Sequence, residues 1–136
     1  MKLKLQLLRD GEILFEIPLS SMDWSKEELE NELKATEESF QRFSKIFDAL
    51  SHETRLRMMS RLIEADNRTL SFADFMQDLD LNPKLVWENS RKLREGGLVE
   101  KIDRGKYTCS EFGETMFMMS LALRHLIESL KEMENL

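Results

Sequence analysis

Glycine, proline and cysteine are all scarce in this chain: five, two and one among 136 residues. One cysteine, Cys109, excludes an intrachain disulfide and fits a reducing compartment. Few breakers with 34% charged and 41% hydrophobic residues favour helices over a loop-rich or disordered chain. No run of eighteen apolar residues occurs, so a membrane-spanning helix is not expected. The opening "MKLKLQLLRDG" alternates where a secretory signal would be continuously apolar. The expected location is the cytoplasm. Excess positive charge is missing too: the net charge is −6, which excludes a protein that coats nucleic acid indiscriminately by broad phosphate neutralisation.

What positive charge there is, however, is concentrated. Residues 82–107, "NPKLVWENSRKLREGGLVEKIDRGKY", hold Lys84, Arg91, Lys92, Arg94, Lys101, Arg104 and Lys106 against four acids. Acidic charge gathers instead in "SKEELENELKATEE", with Glu27, Glu28, Glu30, Glu32, Glu37 and Glu38. The length suits one compact unit with a single core.

Along the chain, residues 1–20 read as a β-hairpin. Leu3, Leu5 and Leu7 alternate in one strand and Ile13, Phe15 and Ile17 in the other, joined by Asp10-Gly11. A lone hairpin is marginal in water, so its apolar face needs cover from helices of this chain or of a partner. A helix is expected over 21–45, with Ser25 and Glu28 as capping box and Trp24 and Leu29 as staple. Its seam, Leu29, Leu33, Thr36, Phe40, Phe43, Phe47 and Leu50, steps by four and three. Ser51 is expected to cap the next helix, which turns Leu56, Met59, Leu62 and Ile63 inward. "NRTL" reads as an extended link.

Two closely spaced helices follow. Ser71 with Asp74 caps the first, and Asn82 with Pro83 opens the second, which Gly96-Gly97 ends. Runs "LVEKI" and "KYTCS" around "DRG" make a second hairpin. The last helix, 111–136, carries Phe112, Met116, Met119, Leu123, Leu126, Leu130 and Met133 at steps of four and three.

Helix, tight turn, helix, then a hairpin with a basic tip is the order of a winged helix-turn-helix. "FDALSHETRLRMMSRLIE" and "LREGGLVEKIDRGKY" resemble the signature and the recognition-helix end of the ArsR-type regulators, over residues 46–110. The resemblance implies a mainly α fold with small β elements: a winged helix-turn-helix DNA-binding domain flanked by terminal dimerisation helices, with the hairpin outside it. It also implies operator binding by a homodimer.

The residues themselves support those roles. A recognition helix over about 83–95 with Val86 and Leu93 buried points Lys84, Trp87, Glu88 and Arg91 outward. Lys92, Arg94 and, on the wing over about 98–109, Arg104 and Lys106 complete the candidate DNA contacts. Asn82 as N-cap presents backbone amides to a phosphate. Two positions depart from the family pattern. Glu88 sits where a neutral or basic contact is usual, and repels phosphate unless it accepts from cytosine. Ser90 replaces a core Leu. Trp87 either packs against the wing or stacks on a base.

For dimerisation the candidates are Phe40, Phe43, Phe112, Met116, Met119, Leu123, Leu126 and Leu130, because so small a core cannot cover two long apolar helices. Two recognition helices then read sites ~34 Å apart. No cofactor or metal is expected: only His125 with Glu128 has helical ligand spacing, short of a four-ligand site. His52 beside Ser51 reads as a helix cap rather than a catalytic pair, so enzymatic activity is not expected. Apolar surface between hairpin and terminal helices leaves room for an unidentified small-molecule effector. The rival reading is an acidic winged-helix interaction module of the transcription machinery with little direct DNA binding.

Overall fold

A computed structural model describes residues 2–134, which fall into two compact units divided between Gln41 and Arg42.

The first unit begins with strands β1 (Lys4–Arg9) and β2 (Glu12–Pro18), paired antiparallel with Leu5 opposite Ile17 and Leu7 opposite Phe15. Asp10 and Gly11 both take positive φ, 51° and 83°, as a two-residue turn matched to strand twist requires. A bulge at Leu7/Leu8 breaks the register near the turn. The Trp24 indole N–H donates to the Pro18 carbonyl at 3.1 Å, just before helix α1 (Lys26–Glu38), where Ser25 Oγ accepts from Glu28 N at 3.1 Å. No described residue of this unit is buried.

The helix expected over 21–45 is two helices. α1 stops at Glu38, Ser39 leaves helical geometry at φ −97° and ψ 4°, and α2 (Phe40–Leu50) begins anew. Local chemistry explains the break. Thr36 Oγ1 bonds back to the Glu32 carbonyl at 2.9 Å, a contact that bends helices. Glu37 and Glu38 then put negative charge at the helix's negative end, with no basic residue in that turn.

The second unit holds the core. α3 spans Glu53–Glu64, capped not by Ser51 but by His52, whose Nδ1 accepts from Thr54 N at 3.2 Å. Ser51 instead donates to the Asp48 carbonyl at 2.9 Å and closes the end of α2. On α3 Met59 and Leu62 are buried as expected, Leu56 and Ile63 are half-buried, and Arg55 and Met58 join the inward face. "NRTL" is more than a link: a short 3-10 turn at Asp66–Arg68 leads into β3 (Thr69–Ser71), which pairs with β5 (Lys106–Cys109). β4 (Val99–Asp103) pairs on the other edge of β5, giving the order β3-β5-β4.

Helices α4 (Phe72–Leu79) and α5 (Pro83–Glu95) are joined by three residues, Asp80 taking the left-handed conformation at φ 52°. Phe75, Leu79, Val86 and Leu93 from this pair meet Met58, Met59, Leu62, Leu98 and Tyr107 in one apolar cluster. Gly97, at φ 75°, turns the chain from α5 into the wing. Ser110 then caps α6 (Glu111–Glu134), accepting from Gly113 N at 2.8 Å. A Cβ on Gly113 would run into the Leu98 backbone carbonyl, so only glycine lets α6 lie this close to the wing.

Candidate nucleic-acid interface

The site is built on α5. Asn82 Oδ1 accepts from Leu85 N at 2.9 Å, and Pro83 presets the first helical turn. Val86, Asn89, Ser90 and Leu93 are buried, which turns Lys84, Trp87, Arg91 and Arg94 outward. Glu88 and Lys92 lie at the margin, half-buried.

Beneath that surface runs a polar relay absent from the sequence reading. Arg55, 8% exposed, donates through Nε to the Ala49 carbonyl at 2.9 Å and through Nη2 to the Asp48 carbonyl at 2.8 Å. Its Nη1 donates to Asn89 Oδ1 at 2.9 Å, and Asn89 Nδ2 donates to the Leu85 carbonyl at 2.8 Å. The guanidinium thus ties the open carbonyl end of α2 to the middle of α5. A buried charge is tolerated when its donors are matched by well-placed acceptors, as here. Ser90, in the departing position, is buried and donates to the Trp87 carbonyl at 3.1 Å. The hydroxyl is satisfied within its own helix. A signal for Arg55 did exist: with Met59 and Leu62 it occupies an i, i+4, i+7 inward face.

Charge on α5 is largely self-compensated. Lys84 Nζ lies 4.0 Å from Glu88 Oε1, Arg91 Nη1 lies 3.1 Å from Glu95 Oε1, and Lys92 Nζ lies 3.0 Å from Asp48 Oδ2. The Lys92 ammonium, first by hydrogen bond and then by charge, holds the Asp48 carboxyl below the usual aspartate range. Among the described residues Arg94, Lys101, Arg104 and Lys106 form no such pair. Exposed pairs like these are worth little and exchange readily for a stronger anion.

Trp87 does not settle into the core: 57% of it is exposed, and the Arg91 guanidinium carbon stands 5.2 Å from its ring centroid. Between α5 and the start of α3 lies an open hollow of about 260 Å³, edged by His52, Thr54, Arg91 and Lys92. At the wing tip, Asp103 Oδ1 accepts from Arg104 N at 2.7 Å and Gly105 takes φ 70°, leaving Arg104 and Lys106 exposed.

The other singled-out residues sit apart from this surface. Cys109 is buried at the foot of the wing, where burial, then the Glu114 carboxylate, pushes its thiol up against the opposing Arg68, a poor setting for a nucleophile. No group of three metal-ligating side chains occurs among the described residues, and His125 is exposed beside the Arg124–Glu128 pair. No described helix is long and apolar enough to cross a membrane. Of the dimer candidates, Phe40, Phe43, Phe112, Met119 and Leu123 are exposed, while Met116, Leu126 and Leu130 are half-buried.

No protein-family model and no curated protein sequence matches the chain. Solved structures do resemble it. The multiple antibiotic-resistance repressor MarR from Listeria monocytogenes superposes with a TM-score of 0.53 at 24% identity, over 82% of this chain and 85% of that one. The transcriptional repressor BigR from Xylella fastidiosa gives 0.51 at 22% identity, over 68% and 93%. Sco5413, a MarR family transcriptional regulator from Streptomyces coelicolor, gives 0.50 at 14% identity, over 76% and 77%. What is common at such identities is the arrangement of elements described above: this chain has the winged helix-turn-helix fold.

Proposed function

We propose that the chain is a sequence-specific DNA-binding transcriptional regulator that acts as a homodimer and not as an enzyme. α5 enters the major groove, and the β4–β5 wing follows the backbone or the adjoining minor groove. The observation that carries this reading is the two-sidedness of α5: an apolar and polar-locked inner face, and an outer face presenting Lys84, Trp87, Arg91 and Arg94 to solvent. A helix of 13 residues, about 20 Å long, fits a groove ~12 Å wide. The solved repressors of the same fold lend it support. Two copies joined through α6 and α2 place two such helices one duplex turn apart.

The self-compensated charge on α5 favours one rival, a winged-helix module that docks other transcription proteins. Fluorescence anisotropy against genomic fragments at several salt concentrations separates the two. The expected result is one fragment class bound tightly, with log affinity falling linearly as log salt rises. Affinity that never separates from competitor DNA supports the rival instead.

A further inference from the structure

The pairing of Trp87 with Arg91 has no use inside the fold. The indole lies on the solvent side of α5, more than half exposed, with a guanidinium 5.2 Å from its centroid one helical turn on. Glu95, a further turn along, holds Arg91 Nη1 at 3.1 Å. Three residues at i, i+4 and i+8 therefore line up a ring, a cation and a carboxylate, and among the described residues the Nε and Nη2 of Arg91 make no hydrogen bond. The backbone that carries them is fixed from below by Ser90 on the Trp87 carbonyl and by the Arg55–Asn89 relay. Attraction to the ring face biases the guanidinium toward this position before binding, which lessens the rotamer freedom that binding takes from it.

Each surface has one good complement in the major groove. Two parallel N–H donors match the O6 and N7 acceptors of guanine, and an exposed apolar ring matches the C5-methyl of thymine. The 5.2 Å between ring and guanidinium falls between one and two base-pair rises of ~3.4 Å, so both contacts fit neighbouring pairs.

We propose that Trp87 and Arg91 act as one reading unit for a thymine beside a guanine in each half-site, the indole covering the thymine methyl and the guanidinium taking the guanine edge. This rests on the reading of α5 as the groove helix. It adds the identity of two bases to it.

The test uses the full-length protein and duplexes recovered from a randomised library. The expected consensus contains thymine next to guanine in both half-sites. Uracil in place of that thymine deletes only the methyl, and should weaken binding about fourfold for the unaltered protein while leaving Trp87→Ala indifferent. In the same way 7-deazaguanine, lacking N7, should cost roughly tenfold for the unaltered protein and nothing further for Arg91→Ala. A consensus without the step, equal affinity for thymine and uracil duplexes, or a uracil penalty that persists in Trp87→Ala overturns the proposal and leaves the regulator reading standing. Failure to recover any specific duplex overturns both. The uracil comparison needs no altered protein, so a folding defect in a variant does not decide the outcome.

Discussion

At the scale of single residues, Arg55 is the side chain on which the presentation of α5 depends. It is buried, it serves three acceptors on two other elements, and its planar fork matches their positions. Removing it leaves the Asn89 amide oxygen and the Ala49 carbonyl without their donor, while the Asp48 carbonyl keeps only Ser51. Arg55→Ala is therefore expected to lower stability by ~3 kcal/mol in urea unfolding. Arg55→Lys should recover little of that, because an ammonium cannot reach three divergent acceptors from one stem. A lysine variant as stable as the unaltered protein would show that charge rather than geometry holds the relay. Periodicity puts residue 55 on the inward face of α3, but an arginine there looks like a surface residue until the carbonyls of Asp48 and Ala49 are brought beside it.

At the scale of elements, caps and turns were the most legible features, because they depend on neighbours within four residues. The Ser71–Asp74 box is complete, Ser71 N donating to Asp74 Oδ2 at 2.9 Å and Asp74 N to Ser71 Oγ at 3.0 Å. The Ser71 backbone N–H, then its hydroxyl, holds the Asp74 carboxyl below its usual range. A depressed carboxylate contributes stability that is full above its unfolded pKa of about 3.9 and is lost as pH falls through the folded value. Thermal melts from pH 7 to pH 2 should therefore show a shallower acid loss in Asp74→Asn than in the unaltered protein, with Ser71→Ala costing ~1 kcal/mol at neutral pH. Parallel acid limbs would remove Asp74 from the account. Where two local signals compete, spacing alone does not choose between them. Ser51 and His52 both offer a capping acceptor, and the backbone of α3 takes the second. The seam through Thr36 and Phe40 continues in periodicity although the helix is interrupted at Ser39, since apolar spacing does not register the Thr36 back-bond or the acidic last turn.

For the whole molecule, charge and apolar surface are unevenly shared. Met1–Gln41 carries ten acidic and five basic side chains, and none of its described residues is buried. α6 leaves Met118, Met119, Leu121, Leu123 and Ile127 exposed along one helix, with Met119, Leu123 and Ile127 spaced on one stripe. Pairing of two copies through this helix is the proposed remedy. Leu123 is 55% exposed, so Leu123→Glu should leave the fold intact while sedimentation velocity at micromolar concentration shifts from dimer to monomer. An unaltered protein already monomeric under those conditions would refute the pairing. What the sequence by itself determined was set by short range: the hairpin turn at Asp10-Gly11, the capped helix pair, the Gly97 reversal and the outward set Lys84, Trp87 and Arg91. Those follow from spacing of apolar residues and from side chains that bond to their own neighbours. Only the tertiary structure decided that Arg55 and Asn89 form a buried relay, that Ser90 is satisfied in the core, that α5 cations are paired with Glu88, Glu95 and Asp48, and that Gly113 must be glycine. Each of these joins residues far apart in the chain or depends on which neighbour a rotamer selects, and a linear pattern carries neither distance nor direction.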